Sequence, residues 1–557
     1  MQMKKTKVKI FFLTPIILLL CLMITTCGKK RMFEKADALI STLSIEQKIG
    51  QMLMVALPGK AMNSDMEKIL ENFLPGGVIY FGYNLTDDQG IAVLTGEIQA
   101  KSMQYSGIPV FVSVDQEGGR VVRITSGVTQ FPGNMAAGVG GDRDLVFQWA
   151  RILGMELRAL GINMNLAPVL DVNNNPENPV INTRSFGSDP ELVAGMGRAY
   201  IKGLQESRCI AVGKHFPGHG DTNKDSHLTL PVIHYGMDRL KRIELPPFAE
   251  AIDAGLECVM TAHIAFPEIV GNTDSATISP FFLTDVLRRD MKFEGIVMTD
   301  DMEMNAISGK YDLGEAAVKS VQAGSDIILI SSYGVNTEKI FDALLEAVRK
   351  GTIDEKRIND SVRRIIELKL RYNIMDFKEN RVVQGHVEYS EKERKIMKKA
   401  DEVNDKLSRN ALYFYGRDDL LKPGSETARV FISDSDVFRR ALKKDENDFI
   451  LESVSGLPGA LKKIGKLYKH VIVYYHIYKP DLAELAMVKD RTGGEHMECV
   501  LVSSGDPFPV TRTGMFKSYL LSFSNTDMSL KLLAECLNGN VIPIKNNSVY
   551  LGMPGVK

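Results

Sequence analysis

Residues 209–227 read CIAVGKHFPGHGDTNKDSH. Cys209 to Val212 form an apolar run that passes directly into a polar loop. That loop holds three of the nine histidines of the chain, His215, His219 and His227, together with Lys214, Asp221 and Asp225. Gly213, Pro217, Gly218 and Gly220 punctuate its backbone. The pattern is a buried strand opening into a loop that is poor core material. Rigid scaffolds display their chemistry on such loops. Any one of these histidines alone reads as a solvated loop residue; the cluster as a whole reads as a site.

The same theme recurs along the first two thirds of the chain. Apolar runs at 51–57, 76–81, 108–115, 162–171, 209–215, 256–263, 294–301 and 324–331 each end near a polar residue. Several are almost continuously Val- and Ile-rich, as parallel strands buried on both faces are. Amphipathic stretches at 86–105, 143–160, 190–207, 237–254 and 280–291 predict helices between them. Ser44 with Gln47 fits a capping box, and Ser279-Pro280 fits an N-cap followed by N1. Eight strands alternating with helices predict an α/β fold, a (β/α)8 TIM-like barrel over 28–375. Asp115, Asp171, Lys214, His215, His263, Asp300 and Asp301 fall at or just past the C-terminal ends of runs, and in such a barrel those ends converge on one mouth. A single carboxylate there could cap the next helix, but so many together predict a site.

Residues 376–408 are highly charged and read as a linker with a solvated helix. Beyond them, 410–414, 428–433, 470–475, 499–503 and 518–523 read as strands, with helices at 457–466, 481–489 and 527–538. This predicts a smaller α/β sandwich domain over 409–557 with a mostly parallel sheet. His470, His476 and His496 are isolated in it and read as structural.

The remaining composition narrows the class. A chain of 557 residues exceeds one ordinary core, so two domains are expected. A formal net charge of -1 argues against a nucleic-acid partner. Residues 1–27 read as a signal peptide: Lys4, Lys5, Lys7 and Lys9 precede an apolar stretch from Ile10 to Ile24, too short for a membrane span. Its end at Cys27 resembles a bacterial lipoprotein signal, which implies lipid on the Cys27 sulfur and a membrane anchor, with Gly28 to Arg31 as a polar tether. Cys209 and Cys258 read as small buried hydrophobes, and the cysteine spacing matches no zinc motif.

The sequence carries no phosphate-binding loop ending in Lys-Ser/Thr and no Gly-x-Ser-x-Gly elbow. Gly138-Val139-Gly140-Gly141 lacks the strand–loop–helix context of a dinucleotide site. What remains is a mouth of carboxylates, arginines and histidines that suits a hydroxyl-rich substrate. Glycoside hydrolysis commonly needs two groups flanking the bond, and Asp300 and the 213–227 loop can supply them.

Four motifs carry a resemblance. Lys214 to His227 is similar to the signature Lys-His-Phe-Pro-Gly-His-Gly-Asp-Thr followed by Asp-Ser-His, found in the β-N-acetylglucosaminidases of glycoside hydrolase family 3. Asp115-Gln116-Glu117-Gly118-Gly119-Arg120, Asn182-Thr183-Arg184-Ser185-Phe186-Gly187 and Thr299-Asp300-Asp301-Met302 resemble three further motifs of that family, in the same order. The C-terminal part resembles the family only loosely, at Ile542-Pro543. The resemblance implies Asp300 as nucleophile, and His227 as general acid/base oriented by Asp225. It implies Asp115, Arg123, Arg184, Lys214 and His215 as ligands of the sugar at the non-reducing end. Asp301 remains an alternative nucleophile, because strand alternation would turn only one of the two toward the mouth.

The expected activity is that of a retaining exo-β-N-acetylglucosaminidase acting on cell-wall fragments or chitooligosaccharides, exported and lipid-anchored, with no cofactor and no metal. Three alternatives stay open. One is a phosphorylase or another β-glycosidase of the same family. A second is a metal-dependent hydrolase using His215, His219, Asp221 and His227. The third is a lipid-anchored sugar-binding protein.

Overall fold

A computed structural model describes residues 32–376 and most of 382–545. The signal segment, Cys27, the tether and His496 lie outside the described residues. Among the described residues no helix is long and apolar enough to cross a membrane.

Eight parallel strands form the first sheet: β1 (Leu53–Ala56), β2 (Gly77–Tyr80), β3 (Phe111–Val114), β4 (Met164–Asn165), β5 (Ile210–Phe216), β6 (Cys258–Thr261), β7 (Ile296–Met298) and β8 (Ile328–Ile330). β1 pairs with both β2 and β8, and the order runs without interruption from β7 back to β1. A parallel bridge between Met298 and Ile327, with Thr299 N–H donating to the Ile327 carbonyl at 3.0 Å, draws β7 against β8 and nearly closes a barrel. Every residue of these strands is buried, so the near-continuous apolar runs face barrel interior on one side and helices on the other.

The helices follow the expected spans with two local differences. The helix expected at 237–254 is broken into Met237–Arg242 and Leu245–Asp253. Pro246 and Pro247 supply no amide protons to continue the first segment, and their fixed φ suits the first turn of the second. The Ser44–Gln47 capping box forms as expected. Ser279 does not cap with its side chain: the wide π-type helix Phe281–Asp290 begins after Pro280, and the Ser279 carbonyl accepts from Phe282 and Leu283 instead.

The second sheet has seven strands in the order Asp448–Leu451, Thr427–Ile432, His470–Ile477, Met497–Ser503, Ser518–Leu521, Tyr413–Tyr415 and Ile544–Lys545. Only Tyr413–Tyr415 against Ser518–Leu521 is antiparallel. One face packs on helices Leu457–Ile464 and Leu482–Thr492, the other on Asp436–Ala441 and Asp527–Leu537. The charged stretch before it is not only surface. Helix Ala400–Asn410 turns Ala400, Val403 and Leu407 into the barrel's core, and Asn404 donates to the Gln130 carbonyl at 3.1 Å.

At the bottom of the barrel Asp326, fully buried just before β8, gathers three arginines. Arg288 lies at 2.5 Å, Arg364 at 2.9 Å and Arg357 at 3.5 Å from its carboxylate, and Ser361 Oγ and Val297 N–H also donate to it. This one side chain ties β7, β8 and the helices Phe281–Asp290 and Glu355–Arg371 together. Removing it leaves the guanidiniums clustered without their counter-charge, a loss of roughly 3–5 kcal/mol for a broken buried pair. Asp326→Ala should therefore lower the urea midpoint sharply; an unchanged midpoint would show that the arginines find other partners.

Candidate active site

The C-terminal ends of the strands enclose a cavity of about 370 Å³. It is lined by Asp115, Arg123, Arg184, Lys214, His215, Asp225, His227 and Asp300, so the structure brings together the catalytic and sugar-binding residues expected from the sequence. Ile79, Phe81, Leu166, Met260 and Leu329 complete its apolar wall.

One side is a buried charge cluster. Lys214 Nζ lies 2.7 Å from Asp115 Oδ1 and 2.7 Å from Glu117 Oε1. Arg184 grips Glu117 with two bonds, Nε to Oε2 at 3.0 Å and Nη2 to Oε1 at 2.8 Å. Burial alone would raise the Glu117 carboxyl, but Arg184 and Lys214 outweigh it and hold the group well below the usual carboxylate range. Burial would likewise lower the Lys214 ammonium, yet Asp115 and Glu117 raise it, so the cation persists. Glu117 stood in a quoted motif without a role. Its signal was an acidic residue two positions after Asp115 inside a glycine-flanked turn. The Arg123 side chain has no ion pair among the described residues, although its amide is held by Gln116 at 3.0 Å. Asn165, at the end of β4, exchanges hydrogen bonds with the Gln116 backbone at 3.0 Å on each side and so fixes the turn that carries Asp115 and Glu117.

β5 delivers Lys214 and His215; the peptide bond between them is cis, and both side chains line the cavity. Asp171, fully buried, binds His215 Nδ1 at 2.7 Å and accepts from the amides of His215 and His219. Burial pushes its carboxyl up, and His215 foremost brings it below its ordinary value. His219 is spent within the loop: Thr222 Oγ1 lies 2.9 Å from Nδ1 and Ser226 Oγ 3.0 Å from Nε2. Burial lowers its pKa to about 4, which keeps it neutral. Asn178 links this loop to the turn of Arg184. Its amide donates to the carbonyls of His219 and Gly220 at 2.8 and 3.0 Å, while its Oδ1 accepts from Val180 and Ile181 at 2.9 and 2.8 Å. Gly220 is required there, since a Cβ would sit 1.7 Å from the Val172 carbonyl oxygen. The metal-ligand set considered above does not converge: among the described residues no group of three or more His, Cys, Asp or Glu has metal-binding spacing, and both ring nitrogens of His219 are occupied.

Asp225 and His227 form a local pair. Asp225 Oδ1 accepts the His227 amide at 2.8 Å and lies 2.7 Å from its Nδ1. The ring is 63% exposed and lines the cavity, with its Nδ1 taken by Asp225.

Asp300 and Asp301 both line the cavity, contrary to the strand-alternation argument. β7 ends at Met298, so the two lie beyond the pleat and alternation does not govern them. Their environments separate them instead. Asp301 Oδ1 accepts from the amides of Glu303 and Ser331 at 3.1 Å each, and burial lifts its pKa to about 6. For Asp300, burial raises the carboxyl, but His215, His263, the Asp301 amide and Lys214 together bring it below its ordinary value. Asp300 is thus the carboxyl drawn below its ordinary value, and Asp301 the one lifted above it.

Residues 44–368 match the family described as Glycosyl hydrolase family 3 N terminal domain. The chain is 35% identical over 329 residues to Beta-hexosaminidase A of Pseudoalteromonas piscicida, which covers 55% of each protein. It is 32% identical over 325 residues to Beta-hexosaminidase of Nitrosomonas eutropha, covering 57% of this chain and 91% of that one. The chain therefore spans little more than half the length of the Pseudoalteromonas relative. The fold is similar to that of a glycoside hydrolase family 3 beta-N-acetylglucosaminidase from Paenibacillus sp. str. FPU-7, with a TM-score of 0.80, 34% identity, and coverage of 90% of this chain and 98% of that one.

The charge cluster predicts a pH signature. A carboxyl held below its unfolded value adds stability that is complete above that value, about 4.5 for Glu117, and fades as pH falls toward the folded value. Glu117→Gln should lower the unfolding midpoint most near neutral pH, and the gap to wild type should narrow steadily below about pH 4.5. A gap that is constant across pH 3–7 would mean the substitution acts through packing rather than charge.

Proposed function

The chain belongs to glycoside hydrolase family 3, and on that premise we propose that it is a retaining exo-β-N-acetylglucosaminidase acting on cell-wall fragments or chitooligosaccharides. The observation that carries this reading is one cavity in which Asp300 shares the space with the Asp225–His227 pair, closed on one side by the Asp115–Lys214–Glu117–Arg184 cluster.

In this reading Asp115, Arg184, Lys214 and His215 bind the hydroxyls and amide of the terminal sugar, and Arg123 adds a further donor at the cavity edge. The Asp300 carboxylate attacks the anomeric carbon as the glycosidic C–O bond breaks, forming a glycosyl ester. His227 passes its Nε2 proton to the departing oxygen. In the second step the neutral ring takes a proton from water, which attacks the same carbon and frees Asp300. Asp225 fixes the tautomer through Nδ1 and balances the positive charge that the ring carries as acid. Bidentate and charge-assisted bonds from fixed side chains orient the sugar without reorganisation.

A slow 2-fluoro glycosyl donor should label Asp300, and Asp300→Ala should abolish turnover; a trapped peptide modified at Asp301 would overturn the assignment. His227→Ala should slow substrates with poor leaving groups by ~10²–10⁴-fold and activated aryl glycosides far less in the first step. Equal damage across leaving groups would leave His227 as a binding residue only. Assays with and without phosphate separate the hydrolase from the phosphorylase: water yields the free sugar, phosphate the sugar 1-phosphate.

We also read the chain as exported and lipid-anchored at Cys27, on the pattern of its first residues. Cys27→Ser should move the protein from the membrane to the soluble fraction with unchanged specific activity, and retention on the membrane would point to an uncleaved signal segment.

A further inference from the structure

We propose that Tyr83 and Tyr333 form an aromatic platform at the cavity mouth that binds the second sugar ring of the substrate, the one released as leaving group. The inference rests on the hydrolase reading above and names what occupies the space beyond the terminal sugar.

Both rings are large and exposed, Tyr83 by 46% and Tyr333 by 49%. Each is carried past the end of a barrel strand, Tyr83 after β2 and Tyr333 after β8. They adjoin the cavity: Phe81, which lines it, stacks on Tyr83 with centroids 5.8 Å apart and planes 17° from parallel, and Ser331, two residues before Tyr333, also lines it. β2 and β8 both pair with β1, so the two tyrosines leave the barrel rim on loops that flank the same strand.

The loops beneath them are held firmly. Asn84, almost fully buried, donates to the carbonyls of Leu57 and Gly59 at 2.7 and 2.8 Å and accepts from the Phe81 amide at 3.0 Å. Glu303 accepts from Ser331 Oγ at 3.1 Å, from the amide and hydroxyl of Ser332, and from Asn336 Nδ2. Exposed aromatic rings on loops anchored this way are preorganised, so binding on them costs little further ordering.

The occupant follows from the chemistry. The charged wall of Asp115, Lys214 and Arg184 closes one side of the cavity around a single polar ring. A pyranose has polar edges but a face of C–H groups, and a flat amphipathic ring such as tyrosine matches that face while its hydroxyl stays wet. A β-linked chain leaving the cavity can lay its next ring on these tyrosines.

The test uses the full chain, the β-linked dimer N,N′-diacetylchitobiose as substrate, and free N-acetylglucosamine as competitor. In the double variant Tyr83→Ala/Tyr333→Ala, kcat/KM for the dimer should fall about tenfold. The inhibition constant of the monosaccharide should stay at the wild-type value, which also reports an intact cavity. Tyr83→Phe/Tyr333→Phe keeps the rings and should behave as wild type. An unchanged kcat/KM in the alanine variant, or parallel loss of dimer turnover and monosaccharide inhibition, overturns the platform alone. A wild-type protein that neither cleaves the dimer nor binds the monosaccharide overturns the parent reading and the platform with it.

Discussion

The candidate site depends on one buried carboxylate. Glu117 sits between Arg184 and Lys214, and Lys214 reaches on to Asp115, so the charges alternate in sign through the cluster. Taking any of these groups out of water alone would cost several kcal/mol; their mutual attraction and bidentate geometry offset that cost. Such a cluster is weak as a source of net stability. Its effect is positional: two cations and a carboxylate are held at the cavity wall with no freedom to turn away, and their donors and acceptors are already aimed when a ligand arrives. Asn165 and Asn178 extend the same constraint into the backbone, one fixing the Asp115–Glu117 turn and the other tying the Arg184 turn to the histidine loop.

This constraint also gives the second sheet a place in the site. Helix Asn134–Gly140 leaves the barrel and buries Met135, Ala136 and Val139 in the core formed by one face of that sheet, beside Tyr413 and Val430. Its other side meets the site: Asn134 Nδ2 donates to the Arg184 carbonyl at 2.6 Å, and Gly138 packs so closely that a Cβ would fall 1.8 Å from the Phe186 oxygen. The turn holding Arg184 is therefore pressed between the barrel and a helix seated on the second sheet. Glycine at 138 reflects that close approach, and its place in a GVGG run has nothing to do with nucleotide binding.

Much of this was legible in the sequence because parallel strands buried on both faces leave an unmistakable pattern. All eight barrel strands fall within or at the edge of the expected runs; of the seven polar residues expected at one end, five line the cavity, while Asp171 and His263 stand behind it, bound to His215 and to the Asp301 carbonyl. Where the reading fell short, the reason was local. Asp448–Leu451 and Ile544–Lys545 are too short and too weakly apolar to announce themselves as strands. The helix at 400–410 looked wholly solvated because only three of its inward-facing residues, Ala400, Val403 and Leu407, are apolar, beside buried Asn404 and Ser408 and charged neighbours. The difference between Asp300 and Asp301 depends on which amides and cations surround each carboxylate, and those come from β5, β6 and β8, far away in the chain. Glu117 was invisible as a hub for the same reason, since its partners lie 67 and 97 positions further on.

The two halves of the proposed chemistry are built differently, and the difference follows from what each must do. Asp300 has a single state to hold through the first step, and it is surrounded by fixed groups that keep it ionised: His215 braced by Asp171, His263 braced by Thr277, and the Asp301 amide. His227 must give a proton in one step and take one in the next, and the second proton comes from water. A buried imidazole such as His219, neutral down to about pH 4, could not serve that cycle. The ring of His227 can, because most of it is exposed to solvent while Asp225 keeps Nδ1 occupied. His219 instead holds the loop, through Thr222 and Ser226, one residue before the ring to which the proposal gives the transfer. The sequence places two histidines eight residues apart in one loop; burial ties His219 into the loop and leaves His227 exposed, as the proposed proton transfer requires.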